Sequence, residues 1–237
     1  MANAHFPGFD VTAANRIDSS GLRGASQRVR ASVCRMKIRV ALPQAEIAWC
    51  RGWLQAAQAD MLMQALLQDV RWEVHRIRMF GRMVDSPRLS SWIGDAEASY
   101  RYSGTRFAPQ PWLEALQPVR TRLQDETGHP FNSVLVNRYR SGNDAMGWHS
   151  DDEPELGAQP LIASVSLGAT RRFAFKHRDD AALKQTLELG HGDLLLMGGD
   201  TQRHYNTPCR ELRARWGSGS TLPFVRSRCA YPVIKSG

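Results

Sequence analysis

The chain has 237 residues, of which 42% are hydrophobic and 23% are charged, a composition typical of a globular protein rather than a disordered or fibrous one. Its longest apolar runs, such as residues 194–197, are far too short to span a bilayer, and no charged-then-apolar signal pattern opens the chain. We therefore expect a cytoplasmic protein without a membrane partner. The cysteines lie far apart and form no CxxC pair, which argues against a zinc knuckle or a disulfide framework; they are Cys34, Cys50, Cys209 and Cys229.

The formal net charge of +8 suggests a nucleic-acid partner, but the distribution of this charge weakens that interpretation. Residues 1–36 contribute +3 and residues 206–237 contribute +5, whereas residues 37–205 hold 20 basic and 20 acidic side chains. All of the excess positive charge lies in the two ends. Composition alone therefore does not establish a nucleic-acid partner.

The first half of the chain contains two helical patterns with a hairpin between them. Residues 1–36 lack sustained apolar periodicity, so we expect a flexible or mis-annotated N-terminal extension there, with Met36 a plausible start. Apolar spacing over residues 53–70 predicts an amphipathic helix, and a second helix is predicted over residues 111–127, ended by Gly128. Residues 71–84 alternate across Phe80-Gly81 in the manner of a β-hairpin.

The chain becomes rich in strand formers after Asn132. Short strands are predicted at residues 133–139, 161–167, 172–176 and 193–197, divided by Gly, Asp and Pro. Short strands that follow helices predict an α+β fold whose core is a double-stranded β-helix, or jelly roll.

The sharpest local pattern is a possible metal site. His149 and Asp151 lie two residues apart in an extended segment, which places both side chains on one face, and His204 follows after the predicted strand at 193–197. Two imidazoles and one carboxylate on one face of an octahedron suit a non-haem Fe(II) oxygenase. The pattern alone also fits histidines with surface or core roles; His191 is expected to cap a turn before a strand, and His177 to lie at a strand end.

Further blocks of residues occur on both sides of this motif, in order, over roughly residues 43 to 205. They are Pro87-Arg88, Gly94-Asp95, Tyr102-Ser103-Gly104, Pro111-Trp112, Asn137-Arg138-Tyr139, Gly142, His149-x-Asp151-Asp152-Glu153, the run from Ile162 to Gly168, Arg172-Phe173, and His191-Gly192 followed by the run to Met197. Together they resemble the AlkB family of Fe(II)/2-oxoglutarate dioxygenases, which repair alkylated nucleic acids. The spacing is most similar to that of the subgroup acting on duplex DNA.

The resemblance implies a role for each motif residue near the metal. His149, Asp151 and His204 would ligate Fe(II), and Asn137 and Tyr139 would hydrogen-bond 2-oxoglutarate, as amide and phenol groups can. With O₂, such an enzyme hydroxylates the N-alkyl carbon, and the product releases an aldehyde and restores the base. Apart from this resemblance, Asn137 and Tyr139 also fit the role of inward-facing strand residues.

The resemblance also implies how alkylated DNA, or RNA, would be bound. The hairpin would probe the duplex with Phe80 or Met83, with Arg82 and Arg88 near the phosphates. The target base has to be flipped out of the stack, at a cost of a few kcal/mol. Tyr102 would stack on that base and Glu153 would accept a hydrogen bond from its amine, while Trp92 fits pocket lining and core packing equally well; a solvated amphipathic strand is the alternative for the hairpin.

The resemblance stops after Tyr205. The family continues to a strand of the form R-x-N-L-T-F-R, whose first arginine pairs with the 2-oxoglutarate carboxylate; no such motif follows here. With suitable synonymous codons, reading from the last base of the Tyr205 codon gives Q-H-A-V-P-R-T-A-R-A-V-G-E-R-I-N-L-T-F-R, which is the missing ending. We infer that one base has been lost near this codon.

These observations predict three regions: the extension at 1–36, a dioxygenase domain at 37–205, and an out-of-frame tail at 206–237. We expect a monomer that oxidatively dealkylates DNA or RNA with Fe(II), 2-oxoglutarate and O₂. As written, it would keep its metal ligands but turn over poorly without the arginine. The alternatives are a 2-oxoglutarate oxygenase acting on proteins or small molecules, and a non-catalytic nucleic-acid-binding product.

Overall fold

The computed structural model describes most of the chain from Lys37 to Glu211, together with Phe224–Val225. The described residues are 37–74, 76–79, 82–86, 88–98, 100–102, 105–107, 109–141, 144, 146–151, 156–157, 159–211 and 224–225. All of them belong to the compact unit Ala31–Gly237. The predicted extension at 1–36 lies outside the described residues.

Helices are few in the described residues, and the two longest fall within the predicted ranges, although the second begins at Gln117 rather than at residue 111. Helix α1 is Ala56–Asp69, and its buried residues follow the i, i+3, i+4, i+7 spacing of an amphipathic helix: Ala59, Leu62, Met63 and Leu66. A 3₁₀ turn, Glu114–Leu116, leads into α2, Gln117–Thr127, which ends at Gly128 with φ of 70°, the left-handed conformation that glycine adopts most readily. The short α3 is Thr201–His204.

Strands make up most of the remaining secondary structure. They are β1 Lys37–Arg39, β2 Glu46–Cys50, β3 Arg76–Met79, β4 Arg82–Asp85, β5 Leu89–Gly94, β6 Tyr100–Tyr102, β7 Thr105–Phe107, β8 Ser133–Arg138, β9 Met146–His149, β10 Ile162–Val165, β11 Arg171–His177, β12 Lys184–Leu189, β13 Leu194–Gly198, β14 Tyr205–Glu211 and β15 Phe224–Val225. The predicted strands correspond to β8, β10, β11 and β13.

Antiparallel pairing assembles these strands into sheets. One four-stranded sheet has the order β1-β2-β13-β10, a second has the order β12-β11-β14-β9, and a third has the order β15-β8-β5. The predicted hairpin is present as β3 paired with β4, with Met79 opposite Arg82. β14 continues its sheet through Glu211, past the predicted domain boundary at 205.

Two apolar clusters stabilise this arrangement. One packs α1 and α2 against β5, β8 and β10, with Leu66 and Ile93 completely buried. The other joins the first two sheets, because residues of β2, β10 and β13 contact Phe173 and Phe175 of β11. Gly192 lies where α1 begins: its φ is +80° and a Cβ would collide with the Leu54 carbonyl, so the His191-Gly192 motif is a packing requirement.

Within the described residues, no helix is both long and apolar enough to cross a membrane. The fold is therefore α+β with mainly antiparallel sheets and few helices.

Candidate active site

His149 and Asp151 meet at the end of β9. The His149 Nε2 and Asp151 Oδ1 atoms are 3.6 Å apart, and Asp151 is 2% exposed. His149 Nδ1 lies 2.8 Å from the Gly147 carbonyl oxygen, which indicates that Nδ1 carries the proton and that Nε2 presents its lone pair. An imidazole nitrogen and a carboxylate so arranged can serve as two ligands of one metal ion.

Helix α3 supports this pair through Gln202 rather than through His204. The Asp151 backbone N–H donates to Gln202 Oε1 at 2.9 Å, in a buried position. Gln202 itself is 2% exposed, so the amide holds the segment that carries Asp151. Sequence reasoning did not find Gln202, because nothing in its local pattern indicates a contact with the distant β9 segment.

The structure does not bring His204 to the His149–Asp151 pair. The His204 ring stacks on that of His177, with centroids 5.7 Å apart and planes 13° from parallel. No group of three or more His, Cys, Asp or Glu side chains in the described residues, which include all three predicted ligands, is arranged to hold a metal ion. The prediction of His204 as third ligand is corrected on this point, because His204 ends α3 before β14 enters the sheet.

The two histidines predicted to have structural roles do have them. His177 is the last residue of β11, and its Nδ1 accepts hydrogen bonds from the backbone N–H groups of Asp179 and Asp180 at 3.2 and 3.1 Å. His191 lies in the turn before β13, where its Nδ1 accepts the Gly168 N–H at 2.8 Å.

The predicted 2-oxoglutarate residues lie on and just after β8. Asn137 is completely buried, and its Oδ1 accepts a hydrogen bond from Arg88 Nε at 2.8 Å. Its Nδ2 has no hydrogen-bond partner among the described residues, so it remains a buried donor suited to a carboxylate or carbonyl ligand. The pairing of β5 with β8 brings Arg88 and Asn137 together, which their sequence separation did not reveal.

A buried arginine, which the sequence did not single out, supports Tyr139. The Arg171 guanidinium lies 4.3 Å from the centre of the Tyr139 ring and donates to the backbone carbonyls of Asp144 and Ser141. The alternation of β11 contained the signal, because residues 171, 173, 175 and 177 all face inward.

Asp144 is the charged partner beside this arginine. Burial alone would raise the pKa of the Asp144 carboxyl, but hydrogen bonds from the Arg140 side chain and backbone, with the charges of Arg140 and Arg171, lower that pKa below its ordinary value. Asp144 and Arg140 form an ion pair with Oδ2 and Nε 2.9 Å apart. Arg140, Ser141 and Asp144 are thus held beside Tyr139.

Of the residues predicted to contact substrate, the structure describes the side chains of Arg88 and Trp92. Arg88 contacts Asn137 and also donates to Ser86 Oγ at 3.0 Å, so a residue predicted to bind substrate lies directly on one predicted to bind 2-oxoglutarate. Trp92 is partly buried, with Nε1 donating to the Ala98 carbonyl. The following lie outside the described residues or side chains, and their roles stay predictions: Phe80, Arg82, Tyr102 and Glu153.

The implied cofactors therefore fit this chain unequally. The buried Nδ2 of Asn137 suits 2-oxoglutarate. Fe(II) finds the His149–Asp151 pair but no third His, Cys, Asp or Glu ligand within the part of the chain that is described. A facial triad needs three protein ligands. The chain as written thus presents an incomplete site for iron.

Comparisons with known proteins identify the family. Residues 46–221 match the model of the 2OG-Fe(II) oxygenase superfamily. The chain is 40% identical over 159 residues to DNA oxidative demethylase ALKBH2 of Mus musculus, covering 63% of this chain and 66% of that protein. It is 38% identical over 159 residues to the Homo sapiens ALKBH2, covering 63% of this chain and 61% of that protein.

A second human relative and a solved structure agree. Alpha-ketoglutarate-dependent dioxygenase alkB homolog 3 of Homo sapiens is 39% identical over 160 residues, covering 64% of this chain and 55% of that protein. The chain thus spans less than two thirds of each of these relatives. The solved structure of OsALKBH1 superimposes with a TM-score of 0.53 at 15% identity, covering 81% of this chain and all of that one, which supports the fold. The chain belongs to the 2OG-Fe(II) oxygenase superfamily, and its resemblance to AlkB proteins is confirmed.

Proposed function

We propose that this domain oxidatively dealkylates N-alkylated bases in DNA, hydroxylating the alkyl carbon so that an aldehyde is released. The observation that carries this proposal is the similarity, at 38–40% identity over 159 residues, to proteins named DNA oxidative demethylase. Fe(II), 2-oxoglutarate and O₂ supply the oxidising chemistry in this superfamily. The protein's own contribution is to bind the cofactors and the substrate, to orient them and to exclude water.

The contact between Arg88 and Asn137 supports this function. Arg88 comes from the side of β5 next to the β3–β4 hairpin, and Asn137 comes from the strand with the 2-oxoglutarate residues. A cosubstrate carboxylate taking the Asn137 Nδ2 hydrogen bond would therefore lie one side chain away from the DNA-facing region. We propose that Arg88, which also donates to Ser86 Oγ, orients the Asn137 amide.

The hairpin is the proposed DNA-probing element. Its stretch of chain carries five arginines against two acidic residues, a local excess suited to phosphates: Arg71, Arg76, Arg78, Arg82 and Arg88 against Glu73 and Asp85. A two-stranded ribbon outside the main sheets can enter a duplex without disturbing the core. We propose that Phe80 or Met83 of this hairpin wedges into the base stack and separates the target base from its neighbours.

We further propose that the sheets close into a double-stranded β-helix. From β8 onward, the chain passes between the β12-β11-β14-β9 sheet and the other two sheets at each step except from β11 to β12, which pair within one sheet, and this alternation supports a jelly roll. β15 pairs with β8 and also contacts β10, so it joins the third sheet to the first. A longer final strand there would complete one continuous face.

The missing ending explains why this chain should be a poor catalyst. As a proposal, residues 206–237 are out of frame, and reinserting one base in the Tyr205 codon gives a chain that we call the restored-frame chain. That chain regains R-x-N-L-T-F-R and its carboxylate-binding arginine. We propose that it carries the activity of the family, as a monomer located in the cytoplasm.

The test is turnover by the restored-frame chain with Fe(II) and 2-oxoglutarate. We expect succinate and formaldehyde in equal amounts on an N-methylated duplex, neither on the same duplex unmethylated, and none after His149→Ala. A methylated oligonucleotide and a methylated peptide in competition identify the substrate class. Product from the peptide alone would contradict the proposal, as would salt-sensitive DNA binding that ignores both methylation and His149→Ala.

A further inference from the structure

Position 207 faces the His149–Asp151 pair. In the pairing of β14 with β9, Thr207 lies directly opposite His149. Residues directly opposite each other in an antiparallel pair project to the same face, with Cβ atoms about 4.5–5.5 Å apart. A side chain at position 207 can therefore reach the ion that His149 and Asp151 would share.

The side chain now at this position is poorly suited to its surroundings. Thr207 is completely buried, and its Oγ1 has no hydrogen-bond partner among the residues that the structure describes. A buried hydroxyl without a partner costs free energy, so well-packed cores seldom keep one. The position is polar, enclosed and next to two potential metal ligands.

The neighbouring position points the other way. Asn206 Oδ1 accepts a hydrogen bond from Ser150 Oγ at 2.9 Å, and Ser150 is the residue between His149 and Asp151. Side chains alternate along a strand, so the face that carries Ser150 and Asn206 is opposite to the face that carries His149 and Thr207. Of positions 206 and 207, only position 207 therefore lies on the face of the sheet that carries His149.

The shifted reading, which starts at the last base of the Tyr205 codon, places a histidine at position 207. Its first residue, glutamine, takes position 206, and its second, histidine, takes position 207. The histidine requires that the Asn206 codon end in C, a choice separate from those that give the R-x-N-L-T-F-R ending, whereas the register of β14 against β9 comes from the structure. We propose that position 207 is the place of the third protein ligand of the metal ion, and that the loss of one base replaced the histidine at this position with Thr207.

This inference rests on the proposed function. It adds a second reason why the chain as written should turn over poorly. The lost base removes a metal ligand as well as the cosubstrate arginine. His204, stacked on His177, is then a structural residue and not a ligand.

Co(II) binding to the full chain as written tests the proposal, followed by titration calorimetry and by visible absorption of the bound ion. We expect Thr207→His to raise Co(II) affinity at least about tenfold, the size of effect that even outer partners of a metal ligand exert. Asn206→His, the matched control on the other face, should leave it within about twofold. His204→Ala should not lower it, either alone or combined with Thr207→His.

A second pair of proteins keeps the test decisive if Thr207→His does not fold. The restored-frame chain should bind Co(II) at least about tenfold more tightly than the same chain with threonine kept at position 207. Equal affinities in this pair, or a tenfold loss on His204→Ala in the chain as written, would overturn the proposal. Tight Co(II) binding through position 207 without aldehyde release from methylated DNA would instead refute the proposed function and leave this inference standing.

Discussion

The chain before Tyr205 and the chain after it share a backbone plan but differ in chemistry. Before it, distant motif residues meet: Arg88 contacts Asn137, and His149 contacts Asp151. After it, β14 pairs with β11 and β9, and β15 pairs with β8, yet the position opposite His149 holds Thr207.

The difference shows how little a strand ladder demands of its sequence. Every residue except proline offers one N–H and one C=O to a neighbouring strand, so an unrelated sequence can occupy a strand position. By contrast, a metal ligand, or an arginine that binds the 2-oxoglutarate carboxylate, has to be one particular side chain. A paired β14 is therefore expected from either reading of the gene, whereas the shifted reading alone supplies histidine and arginine.

The largest expected effect comes from restoring the reading frame after Tyr205. We expect aldehyde release on methylated duplex to rise at least about a hundredfold over the chain as written, because a lost charge-assisted contact alone is worth about 1.5–3 kcal/mol and a metal ligand is lost with it. The measurement is initial rate at equal folded protein, checked by circular dichroism. Equal rates for the two chains would show that the tail as written is functional.

A second prediction asks whether the core before Tyr205 carries the stability. Phe173 of β11 is completely buried between the sheets and lies opposite Cys209 of β14. We expect Phe173→Ala to lower the free energy of unfolding by about 3–5 kcal/mol, measured by urea denaturation. Arg172→Ala, exposed on the other face of the same strand, should change it by less than about 0.5 kcal/mol, and similar losses for both would contradict this packing.

A third prediction sharpens the contrast at a single hydroxyl. Thr207→Val removes the buried Oγ1 that lacks a partner among the described residues, so we expect the free energy of unfolding to rise by about 1 kcal/mol. Thr201→Val is the matched control, because Thr201 Oγ1 accepts the Glu46 N–H at 2.8 Å and donates to the Gly198 carbonyl at 2.6 Å. The control should lose about 1–3 kcal/mol, and a loss at both positions would refute an unsatisfied Thr207.

The smallest predicted effect concerns pH and the loop beside Tyr139. The pKa of Asp144 is lower in the folded chain than when unfolded, so its ion pair stabilises the fold above the unfolded pKa of about 3.9, and this contribution is lost as pH falls through the folded pKa. We expect Asp144→Asn to lose less stability than the parent between about pH 5 and pH 2. Urea midpoints across this range measure the effect; Glu188→Gln, exposed on β12, should follow the parent curve.

The sequence alone determined the family, the helices and the His149–Asp151 pair, because periodicity, capping and two-residue alternation are local properties that the chain states directly. The third metal position was not local. His204 is a histidine at a suitable distance along the chain, but which residue of β14 faces His149 depends on the register between two strands far apart in sequence. The tertiary structure decided that register, and with it placed His204 on His177 and Thr207 opposite His149. Contacts such as Gln202 with Asp151 and Arg171 with Tyr139 were hidden for the same reason, since packing between distant elements leaves no short-range pattern.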